Sequence, residues 1–180
     1  MPATALIVID MLNTYEHEDA DLLAESARSV VPSIEELLRR AAADEDTMVV
    51  YVNDNHENWH SQRDELVERA LAGRHPELVE PLKPPHDVAF LAKGRHSIFY
   101  ETSIAHLLHV NDVHRVVLSG QVTEQCIAYS AYDAYLRGYE VHVPKDAVAH
   151  IVEEWAKASL AMMEKNLHAD LTTVADGALE

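Results

Sequence analysis

Apolar residues in this chain fall into short unbroken runs, separated by longer stretches where they recur every three or four positions. Ala5–Ile9 is uninterrupted and stops at Asp10, the pattern of a strand buried on both faces. From about Asp21 to Ala43 the spacing is helical, through Leu22, Val30, Ile34, Leu37 and Leu38. Thr47–Val52 predicts a second strand ending at Asn53-Asp54-Asn55. The stretch Ser61–Leu71 predicts a helix with Ser61 as N-cap and Leu66, Val67, Ala70 and Leu71 on one face. Val88–Ala92 is a third strand, ending at Lys93, and a short helix from about Thr102 to Leu108 leads to a fourth, Arg115–Ser119. Gly120–Cys126 turns into a helix running to about Arg137 and stopped by Gly138. A fifth strand at Glu140–Val143, a helix from Glu153 to about Leu167 and a sixth strand at Leu171–Val174 complete the pattern.

Strands alternating with helices predict an α/β fold: a single-domain, parallel, Rossmann-like sheet of about six strands with helices on both faces, spanning residues 1–180. Ligands of such sheets bind beyond the carboxyl ends of the strands. Asp10, Lys93 and Cys126 each stand at or just past the end of a different apolar run, so this topology directs them toward one crevice.

Composition narrows the function. The 180 residues are 48% hydrophobic and 25% charged, ordinary for a folded protein, but 31 acids against 14 bases leave a net charge of −17. Without a basic run, such a chain is repelled by phosphate backbones and anionic membranes, which argues against nucleic-acid and membrane partners. No apolar stretch approaches the roughly 18 residues of a membrane span, and Met1–Ile9 lacks the basic start of a signal peptide. The lone cysteine allows no disulfide within the chain, and the expected location is the cytoplasm. Asp10-Met-Leu-Asn-Thr stands where a dinucleotide-binding fold carries its glycines, and no Walker-type phosphate loop is present.

The three strand-end residues form a coherent chemical set. Cys126 falls at about the third position of a helix, with Thr123 as its expected N-cap. The positive end of the helix dipole and its unpaired N–H groups favour thiolate over thiol there. Lys93 would stabilise the thiolate further. Asp10 is placed to take the thiol proton and return it to a leaving amine, while backbone N–H groups hold the oxyanion. Taken singly, each residue also has a purely structural reading: Cys126 as a small core residue, Asp10 as a cap or metal ligand, Lys93 as a solvated charge.

At this point the chain resembles the isochorismatase-like cysteine hydrolases, which include nicotinamidases, N-carbamoylsarcosine amidase, ureidoacrylate and biuret hydrolases, and isochorismatases. Ala5–Tyr15 is similar to the block ending in the catalytic Asp with an aromatic five residues on. Lys93–Thr102 resembles the block that opens on the catalytic Lys, and Ser119–Ile127 the nucleophile block. Arg137–Val148 fits the strand that follows. Each block alone is weakly specific; all three in order are strongly so. The resemblance implies a triad of Asp10, Lys93 and Cys126, an oxyanion hole from the Val122 and Cys126 N–H groups, and a cis peptide at Gln121–Val122. It also implies attack on an amide-like carbonyl, a thioester on Cys126, loss of ammonia or an amine, and hydrolysis, with no cofactor. A small-molecule substrate and a homo-oligomer, dimer or larger, are further implications. Leu12 replaces the Gln common in the first block and His96 the Tyr common in the second. Tyr51–Asn55, followed by Trp59, resembles an uncharacterised branch.

Twelve histidines raise a metal reading. Asp54 and His56 match the first ligand spacing of the nicotinamidases, but His60 comes early and His75 is remote, so only two ligands are placed by spacing. Metal ligands are therefore not assigned. His96, Trp59 and Tyr15 are the expected substrate-binding residues, an aromatic wall with a polar tip; packing under a loop or at a subunit contact is the alternative for Trp59. The competing functions are a metal-dependent nicotinamidase-type amidase and a non-catalytic or redox-sensing relative.

Overall fold

Five successive buried residues make β1 (Thr4–Ile9) the middle of the sheet: Leu6 and Val8 face one core layer, Ala5, Ile7 and Ile9 the other. The computed structural model describes residues 3–60 and 62–179. β2 (Thr47–Asp54) and β4 (Arg115–Gln121) flank β1 in parallel, with Ile9 opposite Val52 on one side and Gly120 on the other. β3 (Ala89–Lys93) pairs outside β2, with Asp54 opposite Lys93. β5 (Glu140–His142) and β6 (Val148–Ala149) both pair with β4, at its start and its end. The result is the expected six-stranded parallel sheet, in the order β3-β2-β1-β4-β5 with β6 beside β4.

Strand order reverses between β1 and β4, and a crevice opens there beyond their carboxyl ends. Gly120 closes this seam at φ 111°; a Cβ at that position would strike the Ile9 carbonyl, so only glycine lets the strands approach.

Helix α1 (Ala20–Ala43) covers the Leu6/Val8 face through Leu23, Ala27, Val30, Ile34 and Leu37. Leu22, expected on that stripe, is 54% exposed, because the buried face runs through Leu23 instead. Helix α2 (Arg63–Leu71) starts after Gln62, whose N–H donates to the Glu65 carboxylate at 3.3 Å; the expected cap, Ser61, lies outside the described residues. A short α3 (Pro76–Val79) follows. Helices α4 (Ile104–Val110), α5 (Ala128–Leu136) and α6 (Glu153–Leu167) pack on the opposite face through Ile104, Leu108, Ala131 and Met163. Among the described residues no helix is long and apolar enough to cross a membrane.

The sixth strand is Val148–Ala149 and not Leu171–Val174. The later segment is held by side chains in place of a ladder: the Asp146 carboxylate accepts the Val174 N–H at 2.9 and 3.1 Å, and His142 Nε2 meets the Thr172 carbonyl at 2.9 Å. Among the described residues, strand pairing there is limited to a bridge between His142 and Asp170.

His142 makes that attachment sensitive to acid. It is 1% exposed, and an Arg115 guanidinium nitrogen 2.7 Å from Nδ1 requires Nδ1 to accept, which leaves the proton on Nε2 for Thr172. Burial pushes its pKa down, against smaller opposing effects of Thr172 and Asp170. Unfolded His binds a proton near about pH 6.5. This contribution to stability is therefore complete above that pH and is lost as pH falls below it. The melting temperature should drop on acidification from about pH 8 to about pH 5, and His142→Gln, which keeps one acceptor and one donor, should flatten that slope.

Candidate active site

The site assembles from strand ends. The Asp10 N–H donates to the Val52 carbonyl at 3.0 Å, extending the β1–β2 ladder by one residue, and the chain then turns at φ 57°. Its carboxylate is aimed across the end of β2: Oδ1 accepts the Asp54 N–H at 2.7 Å and Oδ2 lies 2.8 Å from Lys93 Nζ. Lys93, the last residue of β3, has a fully buried side chain. Its ammonium also lies 3.5 Å from Asp54 Oδ2 and 3.4 Å from Cys126 Sγ. The sequence named Asp54 only as a metal ligand; its register opposite Lys93 makes it a member of this cluster.

Cys126 enters from β4, on a π-helical turn, Thr123–Ile127, that precedes α5. The Val122 carbonyl accepts the N–H groups of Gln125 and Ile127, on either side of Cys126. Thr123 does not cap this turn. Its hydroxyl donates to the Ala149 carbonyl at 2.9 Å, tying the turn to β6. The Gln121–Val122 peptide is cis, as the resemblance implied.

The resting thiol differs from expectation. Burial pushes the Cys126 thiol up, and the adjacent Asp10 carboxylate adds to the rise; Lys93 opposes both without prevailing. For Lys93, burial alone favours the neutral amine, but Asp10, then Cys126 and Asp54, hold its proton and raise its pKa. The cluster at rest is therefore an ammonium held by Asp10 and Asp54 beside a neutral thiol.

A cavity of about 360 Å³ leads to Cys126, lined by Asp10, Asp54, His96, Gln121 and Val122 among others. His96 Nδ1 lies 3.6 Å from Cys126 Sγ, and its ring stacks on Tyr129 with centroids 5.3 Å apart. Trp59 stands apart, in an adjoining cleft of about 570 Å³ that shares Asp54 and His96 with the first. Its indole leans over Gly94, where a Cβ would come within 2.8 Å of it.

Tyr15 does not line either space. It is fully buried, burial pushes its phenol up to about 12, and its hydroxyl donates to Gln121 Oε1 at 3.3 Å. Gln121 Nε2 in turn donates to the Asp10 carbonyl at 2.8 Å, so Tyr15 braces Asp10 from behind. Sequence reasoning missed Gln121, Asn13, His17 and Asp19, which also face the inner cavity; they sit at a strand end and in a loop, where no periodicity signals them.

The metal candidates do not converge. Asp54 Oδ1 accepts the His56 N–H at 2.7 Å and lies 4.0 Å from His56 Nδ1, while Oδ2 faces the Lys93 ammonium. The His60 N–H donates to Asn58, and His75 packs edge-on against Tyr15 beside Glu77. Among the described residues no group of three or more His, Cys, Asp or Glu side chains could hold a metal ion. A cation already opposite Asp54 does not fit a second one there.

These electrostatics set a test of the thiol. Alkylation by iodoacetamide, followed by intact mass, should stay slow near pH 7 and accelerate only above about pH 8.5, where free thiols ionise. Asp10→Asn removes an influence that raises the thiol pKa while leaving Lys93, so its alkylation should accelerate at lower pH than in the wild type.

Comparison with known proteins joins this geometry to a family. Residues 4–176 match the Isochorismatase domain. The chain is 31% identical over 169 residues to YaaI, an uncharacterized isochorismatase family protein of Bacillus subtilis, covering 94% of this chain and 93% of that one. It is 32% identical over 152 residues to a maleamate amidohydrolase of Pseudomonas putida, covering 80% and 71%. Among solved structures, N-carbamoylsarcosine amidase from Thermoplasma acidophilum superposes with a TM-score of 0.73 at 27% identity, over 97% of both chains. With the domain matched from β1 nearly to its last residue, the chain belongs to the isochorismatase-like hydrolase family, whose relatives here include amidohydrolases acting on C–N bonds.

Proposed function

We propose that this protein is a cysteine amidohydrolase that cleaves the C–N bond of a small amide or ureide through a thioester on Cys126. The observation that carries this reading is the Lys93 ammonium, 2.8 Å from Asp10 and 3.4 Å from Cys126 Sγ, buried at the base of the inner cavity that these two residues line. Asp10 takes the thiol proton as sulfur attacks the carbonyl carbon, and Lys93 offsets the charge that develops on sulfur. The oxyanion is taken up by the Val122 and Cys126 N–H groups. Collapse expels the amine, which leaves with the proton held by Asp10. A water molecule then gives a proton to Asp10 and its oxygen to the thioester carbon, releasing the acid and restoring the thiol.

Asp10, Lys93 and Cys126 are the proposed catalytic residues and His96 the proposed substrate contact nearest sulfur. Tyr15, being buried, supports Asp10 and does not touch substrate. Trp59 is assigned to the outer end of a longer substrate. The proposed assembly is a homo-oligomer: Tyr129, Tyr135 and Leu136 on α5 and Trp155 and Met162 on α6 are exposed apolar side chains that a second copy would cover. A reactive reduced thiol suits the cytoplasm.

Ammonia release from maleamate, ureidoacrylate, N-carbamoylsarcosine, nicotinamide and simple amides identifies a working substrate. With it, Cys126→Ala and Asp10→Asn should lower kcat by roughly 10³-fold or more and Lys93→Ala by roughly 10²-fold. Rapid quenching should trap an acyl adduct on Cys126 by mass. Retained turnover in Cys126→Ala overturns the mechanism.

A further inference from the structure

Beyond Asp10, the approach to Cys126 carries carboxylates that the hydrolytic steps do not use. Its inner cavity is lined by three carboxylates, Asp10, Asp19 and Asp54, and three imidazoles, His17, His56 and His96; among the described residues no Lys or Arg lines it. The one cation at its base is spent. From a side chain with 0% exposure, the Lys93 ammonium is ion-paired with Asp10 and Asp54 and donates to Cys126 Sγ. The adjoining cleft adds Glu57, the exposed Trp59 indole and Arg95, whose guanidinium donates to the Gly94 carbonyl at 3.0 Å. Leaving the imidazoles aside, the route to sulfur thus carries four carboxylates against two cations, one of them fully paired, on a chain of net charge −17.

We infer that this enzyme selects amides that carry no negative charge, and that it favours a cationic group over a neutral one at the position next to the scissile amide. The inference rests on Cys126 being the nucleophile. A substrate carboxylate entering the inner cavity would be desolvated against Asp19 and Asp54 with no unpaired ammonium or guanidinium to meet it. An ammonium group in the same place gains those carboxylates, and toward the outer cleft it gains Glu57 and the face of Trp59. Rejection of anions is therefore built into the lining and needs no steric block.

Charged thiol reagents test this without turnover. The wild-type protein is treated at about pH 8, where free imidazoles are neutral, with three methanethiosulfonates: methyl, sulfonatoethyl and trimethylammonioethyl. In each case the Cys126 thiolate displaces methanesulfinate and forms a mixed disulfide, read by intact mass. Rates are divided by those of N-acetylcysteinamide. The sulfonate should fall at least ~10-fold below the methyl reagent, and the trimethylammonium should exceed it. The spread should shrink in about 0.5 M salt and in Asp19→Asn combined with Glu57→Gln. A sulfonate reagent that matches or outruns the methyl one overturns the inference. So does a kcat/KM for succinamate at or above that for butyramide. The thiol-reagent readout is separate from the fate of the thioester mechanism, which stands or falls with Cys126→Ala turnover.

Discussion

A lysine ammonium buried at the carboxyl edge of a parallel sheet is the constraint around which this molecule is arranged. Lys93 has no exposed side-chain surface, and a charge so placed is tolerable only with opposite charges and hydrogen-bond acceptors on every side. Asp10 and Asp54 supply the charges and Cys126 the third acceptor. Removing one partner of a buried pair of this kind typically costs about 3–5 kcal/mol. The sheet supplies the geometry. Asp54 is the register partner of Lys93 across β2 and β3, and Asp10 is tied to β2 through its N–H and its carboxylate. Gly120, at the seam between β1 and β4, lets the chain that carries Cys126 leave close beside Asp10.

The same burial decides the chemistry of the sulfur. A helix start and a nearby ammonium both pull a thiol toward ionisation, but desolvation and the Asp10 carboxylate push harder in the other direction. A thiol that rests neutral beside its proposed proton acceptor attacks most readily when a carbonyl is in place to share the developing charge. In the proposed mechanism this links nucleophile formation to substrate arrival. Bracing follows the same logic: Tyr15 holds Gln121, and Gln121 holds the Asp10 carbonyl, so a fully buried phenol fixes the carboxylate without approaching the cavity.

Access is shaped by a second layer of residues with little role in the core. The inner cavity and the outer cleft meet at Asp54 and His96, so both residues border the whole route from Trp59 to Cys126. Asp54 thus faces two ways: one oxygen toward Lys93, the other toward the main chain of His56. Among the described residues, that division directs Asp54 to Lys93 and the His56 main chain instead of into a cluster with the His56 and His60 rings.

The alternation of apolar runs and helical spacing was enough to determine the first five strands, their parallel pairing and the three residues at the strand ends. Those features depend on local periodicity and on the rule that a doubly buried strand exposes its chemistry where it stops. The ordered blocks around Asp10, Lys93 and Cys126 carried the family for the same reason, since each is contiguous in sequence. What depended on contacts distant in sequence stayed out of reach. Asp54 joined Lys93 only through strand register, Tyr15 was buried rather than presented, Thr123 bonded β6 instead of capping a turn, and residues 171–174 were held by Asp146 and His142 instead of a ladder. The protonation state of Cys126 lay furthest from the sequence. It is the difference between large opposing effects of burial and charge, and only the tertiary structure sets how much of each the sulfur feels.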